Sequence, residues 1–234
     1  METLLIVDYS NLLYRSYFSH KLLSYMGKHT GACYGFIQRL VSLINTFKPS
    51  LIIVCKDNPP YFRKEIFPAY KSGRKFDGIK EDLDSNRILI DDLLDLVGIP
   101  TISFTGFEAD DLIYTCIERS KEFSKVVVDS NDSDLYQAFQ LREELYFLKK
   151  NMIYGVLDFF KEFDIYPWEW DKVTALAGSH NGVPGVKGIG IKTALKIVRD
   201  ALLWEKTYNT HKEELDKYLT LIRLPYCDIN TVLN

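Results

Sequence analysis

The strongest constraint on the fold of this chain is a series of short, unbroken apolar runs, several of them followed closely by an acid. Residues 4–7 lead into Asp8, and residues 51–55 are followed two positions later by Asp57. Further runs of this kind lie at 100–104, 126–128 and 145–148. Short runs that are apolar on both faces are typical of strands buried in a parallel sheet. Because the carboxyl ends of parallel strands meet at one edge of a sheet, we expect the acids to gather there.

Three acids within four residues follow the third apolar run, directly before a segment with helical periodicity. They are Glu108, Asp110 and Asp111. In a regular helix Asp110 points about 200° away from Glu108, so the three converge only if Glu108 belongs to the turn and the aspartates open the helix. A single acid here would be a helix cap. Three carboxylates directed at one loop repel one another unless a cation neutralises them, so we interpret them as the centre of a hard-metal site.

A second acidic pair, Asp132 and Asp134, follows the fourth apolar run. The segment 129–134 lacks the glycine and the glutamate of a calcium-binding EF-hand loop, which excludes that motif. Each acid has a simpler explanation on its own; Asp8, for example, could cap the next helix. Acids at several strand exits are costly without a cation, and together they predict a metal site at the shared sheet edge.

The distribution of charge matters more than its sum. A net charge of −3 argues against a nucleic-acid binder. The basic residues, however, are concentrated at 63–80 and 185–199, on either side of the acidic stretch 107–134 in the sequence. Aromatic residues are interleaved with the first basic segment, and bases stack on such rings while cations hold the backbone. A solvated charged loop is the simpler alternative, but basic segments around an acidic pocket fit a phosphate polymer held at a metal centre.

A glycine-rich turn near the carboxyl end predicts a second contact with nucleic acid. Gly185, Gly188 and Gly190 precede a helical pattern, and Lys187 and Lys192 lie among them. Successive exposed backbone N–H groups before a helix form a cradle for anions. We interpret this segment as a helix-hairpin-helix, which binds a DNA backbone without reading its sequence; a plain glycine-rich turn is the alternative.

The remaining features exclude several classes. The cysteines are scattered without metal-ligand spacing, and there is neither a signal peptide nor a membrane-length apolar stretch. We therefore expect no structural zinc, no membrane association and a cytoplasmic location, which would be the host cytoplasm for a viral protein. We also expect a monomer.

The chain resembles the 5′-nuclease family, the flap endonucleases and 5′–3′ exonucleases, from about residue 4 to residue 203. The motifs that carry the resemblance occur in the family's order: Val7-Asp8-Tyr9-Ser10-Asn11, Phe62-Arg63, Tyr70-Lys71 with Arg74, Glu108-Ala109-Asp110-Asp111, Asp132-Ser133-Asp134-Leu135 and Pro184-Gly185-Val186-Lys187-Gly188-Ile189-Gly190. It implies an α/β, PIN-like fold with a central parallel sheet flanked by helices. A nuclease domain would span 1–160, with a helical arch at about 63–90. A helical DNA-binding region would span 161–234, with the helix-hairpin-helix (H3TH) at about 172–203.

The resemblance also implies roles for individual residues. The metal ligands, for Mg²⁺ or Mn²⁺, would be Asp8, Asp57, Glu108, Asp110, Asp111, Asp132 and Asp134. The catalytic cations would be Lys71, which would meet the scissile phosphate, and Arg74. The DNA contacts would be Arg15, Arg63, Tyr70 (stacked on the displaced nucleotide), Lys187, Gly188, Gly190, Lys192 and Thr193. A potassium ion would occupy the helix-hairpin-helix.

Two departures from the family pattern affect the metal ligands. Lys56 fills the ungapped position of the aspartate that follows the second strand, and Asp57 stands one residue later. Gly178 and Asn181 stand where two further aspartates are expected, and no carboxylate occurs between Asp171 and Asp200. We therefore expect one well-held metal and a second, weaker site, at which a nitrogen or amide ligand would favour Mn²⁺ over Mg²⁺.

Three functions follow from these features. The first is a divalent-metal-dependent 5′-nuclease that hydrolyses phosphodiester bonds in 5′-ended, flapped or branched DNA during replication or repair. The second is a DNA-junction-binding protein whose catalysis is weakened or lost with the second metal site. The third is a PIN-type ribonuclease, which explains the acids but not the hairpin.

Overall fold

The computed structural model describes residues 2–72, 78–179 and 182–226. The strands are β1 Thr3–Asp8, β2 Ser24–Tyr25, β3 Lys28–His29, β4 Leu51–Cys55, β5 Thr101–Ile102, β6 Lys125–Asp129, β7 Leu145–Lys149 and β8 Met152–Tyr154. The α-helices are α1 Tyr9–Ser19, α2 Gly31–Phe47, α3 Arg63–Ile66, α4 Lys80–Leu96, α5 Ala109–Arg119, α6 Val156–Phe163, α7 Trp170–Ala177, α8 Ile191–Arg199, α9 Ala201–Thr210 and α10 Lys212–Ile222. Two 3₁₀ helices span Ser133–Gln140 and Pro167–Glu169.

The central sheet confirms the predicted parallel arrangement. Among the described residues it has six strands in the order β5-β4-β1-β6-β7-β8. Every neighbouring pair is parallel except β7 and β8, which form an antiparallel edge. The strand β1 lies between β4 and β6, so the carboxyl ends of these three strands open on the same edge of the sheet.

Helices cover both faces of the sheet. Successive side chains of β1 point to opposite faces, so each face needs its own apolar cover. Leu5 and Val7 pack with the apolar faces of α1, α2 and α4. Leu4 and Ile6 pack on the opposite face with α5 and with the helices of the carboxyl-terminal region. One face of the central sheet and the carboxyl-terminal helices therefore share one hydrophobic core among the described residues.

The turn between α7 and α8 forms the predicted hairpin, and two glycines make it possible. A Cβ on Gly185 would lie 2.4 Å from the backbone nitrogen of Gly178, and both residues have positive φ, at 72° and 87°. The amide of Val186 donates to Leu176 O at 2.8 Å, which closes the turn onto the end of α7. Only residues without a side chain allow this approach.

Several predicted boundaries differ from the structure. The helix predicted from 194 to 203 is two helices, α8 and α9, because Asp200 leaves the helical conformation and caps α9 by accepting from the amides of Leu202 and Leu203. The predicted strand 100–104 is shortened to β5, which pairs only with the last residues of β4. The hairpin β2–β3 and the strand β8 were not predicted.

The predicted arch at 63–90 is described only at its two ends. The short helix α3 begins it, and the first part of α4 completes it. Arg74, predicted as a catalytic cation, falls within 73–77 and therefore lies outside the described residues. Among the residues that the structure describes, no helix has the length and apolar character needed to cross a bilayer.

Candidate active site

Acids from separate parts of the chain line one pocket at the carboxyl edge of the sheet. The pocket has a volume of about 750 Å³. Its acidic lining residues are Asp8, Asp57, Asp110 and Asp132. Two cations, Arg15 and Lys71, line the same pocket. The structure thus brings together four of the seven predicted metal ligands, one predicted catalytic cation and one predicted DNA contact.

Asp8 stands at the point where β1 ends and α1 begins. One oxygen caps α1 by accepting from Asn11 N at 3.0 Å, and the other accepts from Ser130 Oγ at 2.7 Å. Burial raises the pKa of the Asp8 carboxyl to about 7, with a further contribution from the charge of Asp57. Both the capping role and the pocket role considered for this residue are therefore present.

Asp57 connects the exit of β4 to the start of α5. It accepts from Ser10 Oγ at 2.6 Å and from Ala109 N at 3.2 Å. These contacts turn its carboxylate toward the pocket of Asp8, although Asp57 stands two residues beyond the end of β4. Ser10 and Ser130 are contributors that the sequence did not single out; both are hydroxyl residues adjacent to a strand-end acid.

Asp110 lies in the first turn of α5 and faces the same pocket. Burial raises its pKa well above the ordinary value, and the charges of Asp132 and Asp8 add to this effect. Lys71 acts in the opposite direction and lowers the pKa. The pocket therefore has more carboxyl groups, four, than cations, two, to neutralise them when they ionise.

The chemistry of these side chains fits a divalent cation. Within residues 2–72, 78–179 and 182–226, no three Asp, Glu, His or Cys side chains are grouped closely enough to hold a metal between them. Burial raises the pKa of Asp8 and Asp110, and the charges of the neighbouring acids raise it further. An all-oxygen set of ligands with excess negative charge is the kind that Mg²⁺ and Mn²⁺ prefer.

Glu108 is buried beneath the pocket and is bound by the chain's own donors. Its Oε2 accepts from Tyr70 OH at 3.0 Å and lies 2.8 Å from Arg63 Nη1. Its Oε1 contacts the ammonium group of Lys71. As predicted, Glu108 precedes α5. Its oxygens are nevertheless engaged by three side chains rather than directed at the shared pocket, which is where a metal ligand was expected.

Asp111, predicted as a metal ligand, does not line the pocket and is paired with Arg63 instead. Arg63 donates to both of its oxygens, at 2.6 and 2.8 Å, and Tyr226 N donates to one of them at 2.8 Å. Successive helical residues point about 100° apart, so Asp111 turns into the core when Asp110 faces the pocket. The pair with Arg63 neutralises its charge there.

Two predicted DNA contacts are buried in the described structure. Arg63 is 3% exposed and also donates from Nε to Leu221 O at 2.8 Å. Tyr70 is 2% exposed, and its ring packs in the hydrophobic core. Neither side chain presents a surface on which a base or phosphate could lie, because Asp111 and Glu108 hold their polar groups inside.

Residues predicted to form a second metal position line a separate cavity that shares Asp132 with the first. Asp132 lines both cavities, whereas Asp134 lines only the second. Gly178 and Ser179 also line the second cavity, and neither supplies a carboxylate. His180 and Asn181, the other residues considered there, lie outside the described residues.

Arg15 reaches the pocket from α1, as predicted, but it is held by a residue that the sequence did not indicate. Its Nη2 lies 2.7 Å from Oδ2 of Asp129, at the end of β6. Arg39 of α2 lies 2.7 Å from the other oxygen of the same carboxylate. An acid directly after the apolar run 126–128 was the only sequence signal for this group, and no local pattern connects it to Arg39.

The predicted helix-hairpin-helix residues are accessible. Lys187, Gly188, Gly190, Lys192 and Thr193 are all exposed at the turn before α8 and in its first residues. Gly188 has φ of 84°, and no atom lies within 4 Å of the position that a Cβ would take. This surface can therefore receive an extended anion such as a phosphate backbone.

Comparison with known proteins identifies relatives over most of the chain. The family model of the 5′-3′ exonuclease N-terminal, resolvase-like domain matches residues 3–164. A 5′-3′ exonuclease of Aquifex aeolicus (strain VF5) is 33% identical over 257 residues, covering 100% of this chain and 85% of the relative. The thermostable DNA polymerase I of Thermus thermophilus is 34% identical over 204 residues, covering 84% of this chain and 24% of the polymerase. The chain thus spans about a quarter of the length of that polymerase.

Solved structures show a shared fold at lower identity. The T5 5′-exonuclease with bound zinc superposes with a TM-score of 0.76 at 21% identity, covering 96% of this chain and 90% of that one. Flap endonuclease-1 from Methanococcus jannaschii gives a TM-score of 0.65 at 17% identity, covering 97% and 80%. The parallel sheet flanked by helices is therefore the PIN-like fold expected from the motifs. Because the family model matches more than half of the chain, and the Aquifex relative aligns with all of it, the chain belongs to the 5′-3′ exonuclease family.

Proposed function

We propose that this protein is a divalent-metal-dependent 5′-nuclease that hydrolyses phosphodiester bonds of 5′-ended, flapped or branched DNA in replication or repair. One observation carries the proposal. Four acids from separate chain segments share a pocket of about 750 Å³ with two cations, Arg15 and Lys71. Acids suited to a metal, beside cations suited to a phosphate, are what metal-assisted phosphodiester hydrolysis requires.

The carboxylates would provide the metal site. Asp8 and Asp110 are buried and carry the raised pKa values, so they gain most from a cation. Asp57 and Asp132 stand close enough to contribute to the charge felt by Asp8. A bound Mg²⁺ or Mn²⁺ would supply Lewis-acid stabilisation of the phosphate and lower the pKa of an attacking water.

The cations would act on the phosphate itself. Lys71 lies at the pocket wall, where its ammonium group contacts Glu108 and lies 4.9 Å from the ring centre of Tyr61. These contacts place its charge beside Asp110. A fixed positive charge at this position stabilises a phosphate whose negative charge increases in the transition state. Arg15, which lines the same pocket, would hold the same strand.

The helix-hairpin-helix would hold the duplex at a distance from the pocket. Lys187 and Lys192 are exposed beside the open backbone of Gly188. Such contacts position a DNA backbone without selecting a sequence. A 5′ flap, a nick or a single-strand/duplex junction would then be bound at both places. The potassium ion implied by the family resemblance belongs to this part of the proposal.

A direct test is cleavage of end-labelled 5′-flap, nicked and single-stranded DNA in Mg²⁺, Mn²⁺ and EDTA. We expect cleavage in the first two conditions, none in EDTA, and none for Asp110→Asn in any condition. Asp92→Asn, which neutralises an exposed acid on α4, is the matched control and should cleave normally. A metal-independent product, or wild-type cleavage by Asp110→Asn, would contradict the proposal.

A second candidate is a DNA-junction-binding protein with weakened catalysis. The observation that favours it is the wall formed by Gly178 and Ser179, which supplies no carboxylate to the cavity of Asp134. The same experiment separates the two candidates. Tight, structure-selective binding of flap DNA without cleavage at any metal concentration would support the binding protein, whereas metal-dependent turnover would support the nuclease.

A further inference from the structure

We propose that Asp129 and Arg39 are positioning residues, which hold the guanidinium of Arg15 at the mouth of the acidic pocket and keep it from pairing with the carboxylates of the metal site. The inference rests on the proposed function for the identity of the pocket. It adds two residues, neither of which was predicted as a metal ligand or as a DNA contact.

The geometry is a carboxylate held between two guanidinium groups. The side chain of Asp129 is 0% exposed, whereas those of Arg15 and Arg39 are 29% and 20% exposed. Arg15 Nη2 lies 2.7 Å from one oxygen, and Arg39 Nη2 lies 2.7 Å from the other. Arg39 Nη1 donates to Asn151 Oδ1 at 3.0 Å, and this bond fixes the orientation of the Arg39 guanidinium.

The charge of this trio explains why two arginines are present. A buried carboxylate needs a cation, and a single arginine would satisfy Asp129. With that arrangement Arg15 would be neutralised by its partner and would attract a phosphate weakly. Because Arg39 shares the carboxylate, the trio retains one net positive charge, and Arg15 supplies that charge to the pocket.

The position of Arg15 explains why it must be held. It lines the same pocket as Asp8, Asp110 and Asp132. A long side chain that is free to move among such acids would pair with them and would compete with a metal for their oxygens. Asp129 prevents this because it offers a fully buried carboxylate at a fixed strand end, where an ion pair is screened least by water.

Arg39 does not act at the pocket itself. It lies in a neighbouring groove with Gln38, Ser42 and Asn151, and Arg15 and Ser19 line both this groove and the pocket. Arg39 is connected to Arg15 through the carboxylate of Asp129, which the two arginines share. This distinguishes a positioning residue from a group that touches the substrate.

The decisive experiment measures Mn²⁺ binding without DNA, by the electron paramagnetic resonance signal of free Mn²⁺. We expect Asp129→Asn to weaken binding by about three- to tenfold, since a released guanidinium can form a charge-assisted bond with the pocket acids. Arg15→Ala should bind Mn²⁺ at least as well as the wild type. The double variant should behave like Arg15→Ala, because the guanidinium that lines the pocket is gone and Arg39 lines the neighbouring groove instead.

Two results would overturn the inference. Wild-type Mn²⁺ affinity in Asp129→Asn would show that Arg15 needs no restraint. Weak binding that persists in the double variant would show that Asp129 acts through the fold or on the metal, and not through Arg15. If the wild-type protein itself fails to bind Mn²⁺, the proposed function fails instead, so the two failures can be told apart.

Arg39 gives an independent test on flap DNA. Arg39→Ala should raise KM several-fold with little change in kcat, because Arg15 then shares its charge with Asp129 alone. Arg39→Lys should restore most of the loss, and Gln38→Ala, from the same groove, should have no effect. An equal loss in the alanine and lysine variants, or a fall in kcat alone, would contradict a positioning role.

Discussion

The guanidinium of Arg63 donates to both carboxylate oxygens of Asp111, at 2.6 and 2.8 Å, in a pair that is almost entirely buried. The two residues are 48 positions apart in the sequence. Arg63 begins α3 and Asp111 lies in the first turn of α5, so the pair joins the base of the arch to the helix that carries Asp110. It also contacts the carboxyl-terminal segment through Leu221 O and Tyr226 N.

This pair predicts a structural phenotype for a residue of the acidic motif. Asp111→Asn should lower the free energy of unfolding by about 3 kcal/mol, because it breaks a buried ion pair and leaves Arg63 only the carboxylate of Glu108, which Arg63 shares with Lys71. The measurement is chemical denaturation in EDTA. Asp132→Asn, which removes a pocket acid, is the matched control and should not destabilise the protein. Equal stability of Asp111→Asn and wild type would contradict this account of the pair.

The acids of the pocket predict an unusual dependence of stability on pH. Burial raises the pKa of Asp8 in the folded state from its ordinary value of 3.8 to about 7, so the folded state holds this proton where the unfolded state has lost it. Stability without metal should therefore fall as the pH rises from about 4 to 7, by a few kcal/mol in all, since one pKa unit corresponds to about 1.4 kcal/mol. Thermal unfolding in EDTA across this range measures the effect.

Two controls accompany the pH experiment. Mg²⁺ should restore the unfolding temperature at pH 8, because the cation stabilises the ionised acids. Asp8→Asn should flatten the dependence in EDTA. The opposite result is a stability that rises between pH 4 and 7 with the same slope in the wild type and in Asp8→Asn. It would show that ionising the pocket acids does not destabilise the folded state.

Lys71 should act on the rate more than on binding. Lys71→Met keeps much of the side-chain volume and removes the charge, and it should slow single-turnover cleavage by roughly 10²-fold, the size of effect seen when one electrostatic donor to a transition state is lost. Binding of flap DNA in EDTA should change little. A variant that loses affinity and keeps the rate of cleavage would identify Lys71 as a binding contact only.

The hairpin lysines should show the opposite behaviour. Removing both Lys187 and Lys192 should weaken DNA binding and reduce the slope of log K against log salt by roughly 1.8, because each phosphate contact contributes about 0.9. Lys206→Ala removes an exposed cation from α9 and serves as the control. An unchanged salt slope would place the DNA elsewhere on the protein.

Ser179 offers a test of the proposed second, weaker metal site. This residue lines the cavity of Asp132 and Asp134, so Ser179→Asp should lower the half-saturating Mg²⁺ concentration for cleavage by roughly threefold, the scale of a partly exposed charge pair. Ser179→Asn has nearly the same shape without the charge and should not. If the two variants need the same Mg²⁺ concentration, this cavity does not take part in metal binding.

The family pattern suggests Gly178→Asp for the same purpose, but the structure argues against that substitution. Gly178 has φ of 87°, and a Cβ there would lie 2.8 Å from Pro184 O. We expect Gly178→Asp to unfold at a lower temperature than Ser179→Asp, because backbone atoms cannot move aside as a side chain would.

The sequence by itself determined the sheet and the edge at which the chemistry lies. Unbroken apolar runs require burial on both faces, and this makes them parallel strands whose carboxyl ends coincide. The acids that follow β1, β4 and β6 therefore had to meet, and Glu108 had to stand outside α5. The exposed hairpin before α8 followed from its glycines and lysines in the same way, because turn chemistry is local.

Only the tertiary structure decided which acids face the pocket. Asp110 and Asp111 are adjacent and chemically identical, and the choice between them depends on Arg63, which neutralises the one that turns inward. Likewise, Asp129 is clamped by Arg39, a residue 90 positions away. A side chain's partner depends on contacts between distant segments, and neither periodicity nor motif spacing carries that information; the energy of a buried charge is set by the partner that folding brings to it.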